Sequence, residues 1–282
     1  MNDQNKICLI TGATSGIGKE AALGLAKQGM DIIFNTRDET RGRKVREELI
    51  GQSGNQNIEV LNCDLGSFQS VCNFANQVKS RYEKIDVLIN NAGIWTSKKE
   101  LSEDGIELQF AVNHLAPFLL THHLIDRLEK APQGRIINVS SGVHYRGKID
   151  LSDPESRKKP YISINAYTQS KVANILFTRE LAKRLSESNT TVNCLAPGWV
   201  NTGLFRETNL FVKTCARWMA LTPEKGAETT VYLASSDEVE NTTGEYFTKK
   251  KIKRSARVTY DTELATRLWT LSEKYVKDFL TC

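Results

Sequence analysis

No apolar run in this sequence approaches the roughly twenty residues that a helix needs to cross a bilayer, so no transmembrane anchor is expected. The first residues, Met1 to Lys6, are polar and lead directly into the first apolar run, and no signal peptide is expected there. Histidine is scarce. His114, His122, His123 and His144 have no carboxylate partner at a ligand spacing, so packing or surface roles are expected, and no metal site. Cysteine is scattered: Cys8, Cys63, Cys72, Cys194, Cys215 and Cys282 show no C-x-x-C spacing, which indicates neither a zinc site nor a disulfide framework. Small core thiols in a reducing, cytoplasmic compartment are the expectation. There the N-x-T matches at Asn189 and Asn241 carry no weight. Charge of one sign is lacking too. With 38 basic against 33 acidic residues the net charge is +5, too mild to argue for nucleic acid. Repeats, linkers and low-complexity tracts are absent, so residues 1–282 are read as one domain.

What is present is a soluble composition, 40% hydrophobic and 25% charged, arranged as a regular alternation. Strand-like runs occur at Lys6–Thr11, Asp31–Thr36, Ile58–Asn62, Val87–Asn90, Arg135–Ser140 and Thr191–Ala196. They are rich in Ile, Val, Leu and Phe without polar alternation, as strands covered on both faces should be. Helical patterns lie between them, over Ile17–Gln28, Glu39–Ile50, Ser67–Tyr82, Asp104–Glu129 and Asn165–Ser186. The expected fold is α/β, a single-domain Rossmann-type doubly wound parallel sheet of about seven strands with helices on both faces. After Ala196 the rhythm breaks. A bulky segment over about 199–222 carries Trp199, Leu204, Phe205, Leu210, Phe211, Trp218 and Met219, and is read as a lid over an apolar pocket. A membrane patch or an oligomer contact is the alternative reading of that segment. A helix over Pro223–Ser235, a short strand over Glu245–Thr248 and a terminal helix over Thr262–Phe279 close the chain. The basic run Lys249–Arg254 is read as a solvated turn.

The first strand is followed by Thr11-Gly12-Ala13-Thr14-Ser15-Gly16-Ile17-Gly18 and then by a helix. A strand, a glycine turn and a helix N-terminus in that order form a phosphate cradle. Gly12 permits the tight turn, Gly16 a close backbone approach and Gly18 helix-on-strand packing. The spacing is G-x-x-x-G-x-G, not G-x-G-x-x-G, and an ordinary strand-to-helix turn stays open as a reading. The second strand ends in Thr36-Arg37, where an NAD site would place a carboxylate. A guanidinium there suits a 2′-phosphate, so NADP(H) is favoured over NAD(H), with Arg41, Arg43 and Lys44 close enough to share the role. Asp64, after the third strand, either accepts from an adenine amino group or caps the next helix. Asn90-Asn91-Ala92-Gly93 lies at the carboxyl end of the fourth strand, beside the ligand crevice or in an Asx turn.

Tyr167 and Lys171 stand four residues apart and share a helix face. An ammonium beside a phenol lowers the phenol pKa, which would make a general acid for a carbonyl oxygen. Ser140 and Ser141 end the fifth strand, where a hydroxyl polarises the same oxygen. Asn113, a poor interior helix residue, implies a specific hydrogen-bonding task. Pro197-Gly198 turns the chain over the crevice, and His144 and Tyr145 fall near substrate.

In this order the motifs resemble the short-chain dehydrogenase/reductase family across essentially the whole chain. The matching stretches are TGATSGIG, CDL at Cys63–Leu65, NNAG at Asn90–Gly93, Asn113, Ser141, YTQSK at Tyr167–Lys171 and PG at Pro197–Gly198. Within the family the chain is most similar to retinol dehydrogenase-like reductases, through VNHLAPFLLT, SKVANILFTREL and TGEYF. The apolar N-terminal anchor of the membrane-bound ones is not expected here. The resemblance implies Tyr167 as proton donor or acceptor, Lys171 on the nicotinamide ribose, Ser141 on the substrate oxygen (Ser140 its neighbour) and Asn113 holding a relay water. It further implies Gly12, Ser15, Gly16, Ile17 and Gly18 along the phosphates, Asp64 and Leu65 at adenine, and Asn91, Ala92 and Gly93 along the ribose region. Pro197, Gly198 and Thr202 would lie by the nicotinamide.

The expected activity is hydride transfer between NADP(H) and a lipophilic aldehyde, ketone or alcohol, retinoid-like substrates included. The alternatives are a non-catalytic cofactor-binding regulatory protein, or a membrane-surface protein making peripheral contact. The resemblance also implies a homodimer or larger oligomer through the helices of Asn113 and Tyr167, although monomers occur in the family.

Overall fold

The computed structural model describes residues 5–198 and 221–282. Eight strands form one sheet in the order β3-β2-β1-β4-β5-β6-β7-β8. They are β1 (Ile7–Ile10), β2 (Asp31–Thr36), β3 (Ile58–Asn62), β4 (Val87–Asn90), β5 (Arg135–Val139), β6 (Thr191–Leu195), β7 (Tyr246–Thr248) and β8 (Lys251–Ile252). All pairings are parallel except β7 with β8. The eighth strand exceeds the expected seven. It corrects the reading of the basic run as a turn alone, because Lys249 and Lys250, both at positive φ, make the tight connection of a hairpin.

Among the described residues the longer helices are α1 (Gly16–Lys27), α2 (Glu39–Ser53), α3 (Phe68–Arg81), α4 (Ala116–Glu129), α5 (Ser163–Arg184), α6 (Pro223–Ser235) and α7 (Thr262–Val276). Alternating side chains of each central strand feed two cores, as a strand's period of two requires. Leu9, Ile33, Leu88 and Ile136 pack with α3, α4, α5 and α7 on one face. Ile10, Phe34, Ile89 and Ile137 pack with α1, α2 and α6 on the other. The strand order reverses between β1 and β4, which opens a crevice beyond their carboxyl ends.

Three local departures matter. The pattern expected as a helix from Asp104 becomes helical only at Leu108, because the preceding residues form a turn closed by a Leu101–Glu107 bridge. Before α4 the chain then makes a π-helical turn, Ala111–Leu115, which carries Asn113. The expectation of no disulfide is also corrected, since Cys72 and Cys282 are joined across 210 residues of sequence. Cys72 is buried on α3, and the segment after α7 brings Cys282 back to it, a long-range meeting that local spacing does not encode. Cys8, Cys63 and Cys194 are buried free thiols. Most of the expected lid, 199–222, lies outside the described residues. Leu221 and Thr222 are described, and Thr222 caps α6 with Pro223 in its first turn.

Candidate active site

Gly12 and Gly16 adopt φ of 70° and 56°, conformations that a side chain would strain. The turn they form is held on three sides. Asn35 Oδ1 accepts from Gly12 N at 3.0 Å. Asn91 Nδ2 donates to Thr11 O at 2.8 Å and to Gly12 O at 3.3 Å. Thr11 Oγ1 accepts from the amides of Asn91 and Ala92, both at 3.1 Å. A Cβ on Gly18 would sit 2.4 Å from both Asn91 Nδ2 and Gly12 O, so only glycine lets α1 start this close to the turn. Ser15 precedes α1 without a capping hydrogen bond from its side chain, and the first turn holds no acidic residue. The helix therefore presents its first-turn amides, with their partial positive charge, to the crevice.

Around this cradle the other strand ends converge. Arg37 and Arg41 both border the crevice, whereas Arg43 and Lys44 are not among the residues that line it. Arg41 is held there by a 3.3 Å bond from Nη2 to Thr14 O. No carboxylate replaces Arg37 at the end of β2, since Asp38 is spent on capping α2 through Arg41 N. The two readings of Asp64 separate. Ser67 caps α3, so Asp64 is not the cap; its Oδ1 accepts from Gly66 N at 2.8 Å, and the residue lines the crevice.

At the other end, α5 carries Tyr167 and Lys171 beneath the end of β5. Both are almost fully buried. Lys171 Nζ donates to Val139 O at 3.1 Å and lies 5.7 Å from the Tyr167 ring centre. A Cβ on Gly93 would come within 3.1 Å of that Nζ. The two serines divide their work. Ser140 Oγ is buried and donates to Lys171 O at 2.8 Å, a structural bond that fixes strand to helix. Ser141 faces the cavity and interacts with the Tyr167 phenol, favouring its charged form. Asn113 clamps Ile94 from both sides, accepting from its N–H at 2.8 Å and donating to its carbonyl at 3.0 Å, and donates to Ser170 Oγ at 3.0 Å. Both ends of its amide are thus engaged beside the Tyr167–Lys171 pair.

One electrostatic expectation is corrected. Burial pushes the Tyr167 phenol up to about 12, with the Ser141 hydrogen bond working against the rise. Burial likewise pushes Lys171 down to about 8. Loss of water around both groups outweighs the mutual effect expected from i, i+4 spacing.

The cavity joining these parts has a volume of about 1070 Å³. It runs from Gly12, Ser15 and Ile17, past Leu65 and Ala92, to Tyr167, Lys171, Pro197 and Gly198. Apart from Arg43 and Lys44, the described residues expected along the cofactor therefore lie on it. Thr202 lies outside the described residues. Ile94, Trp95, Val143, Tyr145 and Tyr246 add apolar wall near Tyr167. His144, expected near substrate, instead packs between the rings of Tyr145 and Tyr246 and is absent from that wall. Sequence reasoning missed Asn35, whose only signal is an amide in an otherwise apolar strand end; its Nδ2 also ties β2 to Cys63 O at 3.2 Å.

A glycine cradle at the switch point of a doubly wound sheet, facing a buried Tyr–Lys pair with Ser141 at the cavity wall, defines a nicotinamide-dependent oxidoreductase that transfers hydride. The family comparisons agree. The short chain dehydrogenase model matches residues 6–212. The chain is 39% identical over 279 residues to retinol dehydrogenase 13 of Homo sapiens, covering 96% of this chain and 84% of that protein. It is 41% identical over 290 residues to human retinol dehydrogenase 14, covering 96% and 86%. A crystal structure from Mycobacterium paratuberculosis superposes with a TM-score of 0.79 at 33% identity, covering 98% of this chain and 96% of the other. A short chain dehydrogenase structure from Escherichia coli CFT073, complexed with NADPH, superposes at 0.68 with 25% identity, covering 88% and 96%. The chain belongs to the short-chain dehydrogenase family. Among the described residues no helix is long and apolar enough to cross a membrane.

Proposed function

We propose that the protein is an NADP(H)-preferring carbonyl reductase or alcohol dehydrogenase acting on lipophilic aldehydes, ketones or the corresponding alcohols, retinoids among them. The observation that carries the reading is the meeting of Tyr167, Ser141 and Lys171 at the apolar end of a cavity whose other end is the glycine cradle. The fit to a dinucleotide rests on the uncapped first turn of α1 and on the space that a Cβ at Gly12 or Gly18 would fill. Arg37 and Arg41, both on the wall of the crevice, support the 2′-phosphate. The names of the two human relatives, both retinol dehydrogenases, support a lipophilic substrate.

Gly12, Ser15, Gly16, Ile17 and Gly18 would hold the pyrophosphate, Asp64 and Leu65 the adenine, and Asn91, Ala92, Gly93, Pro197 and Gly198 the nicotinamide half. When bound, the cofactor supplies or accepts the hydride. Ser141 donates a hydrogen bond to the substrate oxygen and orients the phenol. Tyr167, a phenol protonated at neutral pH, delivers its proton to that oxygen as the carbonyl is reduced. Lys171, anchored on Val139 O, presents its remaining donors to the ribose and past Gly93. Asn113 fixes the Ile94 backbone that forms the wall opposite.

A panel of aliphatic, aromatic and retinoid aldehydes, ketones and alcohols, assayed with NADPH and NADH, tests the reading. Turnover of lipophilic carbonyls with NADPH at least tenfold above NADH is expected. Activity confined to small polar substrates, or equal use of both cofactors, overturns it.

A further inference from the structure

Cys72, His123 and Cys282 meet where the segment after α7 lies across α3 and α4, on the molecule's α3–α4 side and outside the residues that line the active-site cavity. His123 Nε2 is 3.6 Å from Cys72 Sγ and 3.4 Å from Cys282 Sγ, and bonds to Phe279 O at 2.8 Å. Cys72 has no exposed surface, whereas Cys282 is exposed. The two residues of one disulfide thus differ in burial, and the His123 imidazole lies close to both sulfurs.

We propose that this trio is a thiol–disulfide exchange site, in which Cys282 is the sulfur attacked by an outside thiol and Cys72 is the sulfur released. The attacking thiolate forms a bond to Cys282 Sγ as the Cys72–Cys282 bond breaks. The electron pair leaves on Cys72 Sγ, 3.6 Å from His123 Nε2, and takes up the proton that the incoming thiol lost. A second outside thiol then attacks the mixed disulfide and frees Cys282 as a thiol. Overall two outside thiols are oxidised to one disulfide, and the protein pair gains two electrons and two protons. The burial of Cys72 sets the order, with the incoming sulfur meeting the exposed Cys282 residue; the His123 Nε2–H, once the loosened segment frees it from Phe279 O, favours release of Cys72.

The exchange acts on a defined piece of structure. The segment Lys277–Leu280 is otherwise held by His123 and His122, which bond the carbonyls of Phe279 and Leu280, and by Phe279 edge-on against Phe68. It continues from α7, whose Ser272 Oγ lies 2.9 Å from His114 Nε2, next to Asn113. Opening the bond therefore loosens the segment 277–282 first and leaves the Tyr167 end of α5 folded.

The test uses the full chain. The oxidised protein is incubated with glutathione, quenched with N-ethylmaleimide and mapped by peptide mass spectrometry. A glutathione adduct on the Cys282 peptide, with maleimide on the Cys72 peptide, is expected. Dithiothreitol should free both sulfurs and raise amide exchange at 277–282 at least tenfold, with little change at 163–171. His123→Gln should keep the disulfide but slow its reduction at least threefold at neutral pH, and His123→Asn checks that result in a smaller side chain. An adduct on Cys72, no adduct at all, or wild-type reduction rates in both variants overturns the proposal. Stoichiometric zinc uptake by the reduced protein that blocks reoxidation would make the trio a metal site instead and also overturns it.

Discussion

Gly18→Ala is the substitution whose outcome the geometry determines most closely. The added methyl would lie 2.4 Å from Asn91 Nδ2 and 2.4 Å from Gly12 O, against ordinary contact at 3.4 Å or more. Neither neighbour can yield freely. Gly12 O belongs to the backbone, and Asn91 Nδ2 is bonded to Thr11 O and Gly12 O. The start of α1 must therefore move by about 1 Å relative to the turn. Overpacking of this kind costs about 1–3 kcal/mol. Loosening the Asn91 bonds adds about 1 kcal/mol. A total near 3 kcal/mol lowers the melting temperature by roughly 6 °C, at about 2 °C per kcal/mol for a chain of this size. The same shift misaims the first-turn amides, and losing one charge-assisted hydrogen bond of about 1.5–3 kcal/mol weakens cofactor at least tenfold. Calorimetry and NADPH fluorescence titration read both effects. A variant that melts with the wild type and binds NADPH equally refutes the cradle geometry.

The remaining predictions rest on separate parts of the site. Arg37→Ala should weaken NADPH binding tenfold or more in a fluorescence titration while changing NADH less than twofold; equal losses would refute the 2′-phosphate assignment. Asn113→Ala leaves the Ile94 N–H without its side-chain acceptor and should destabilise the fold by about 2–3 kcal/mol in urea melts. Carbonyl reduction should hold steady below neutral pH and fall as pH rises through about 8, where Lys171 loses its ammonium. Lys171→Arg, which stays charged, should move that fall to higher pH in the measured rate profile.

Much of the architecture is legible because it rests on local signals. Apolar runs such as Ile7–Ile10, buried on both faces, announce a central parallel strand, and Gly12, Gly16 and Gly18 announce the turn that follows. Tyr167 and Lys171 are legible as a pair because helical spacing alone puts them on one face. Other features depend on what the folded chain brings together. The capping role left open for Asp64 falls to Ser67, only three residues on, and the choice turns on where α3 begins. The role of Asn35 depends on a turn 23 residues earlier in the chain. The Cys72–Cys282 bond depends on α7 returning the chain to α3. The raised phenol of Tyr167 depends on how completely the surrounding elements exclude water, which spacing does not convey. The π-helical turn at Asn113 is a register change inside a continuous apolar helix pattern, visible only once Ile94 and Ser170 are seen to claim its amide.

In the proposed reaction the Tyr167 phenol moves the proton to or from the substrate oxygen. Tyr167→Phe removes one oxygen atom and keeps the ring that packs against the end of β5. Steady-state turnover of a lipophilic aldehyde, with NADPH affinity measured on the same preparation, tests the claim most directly. The expected result is a loss of kcat of at least a hundredfold, the lower range for general acid catalysis, with NADPH affinity within threefold of wild type. A variant that binds NADPH and turns over at the wild-type rate would contradict the account.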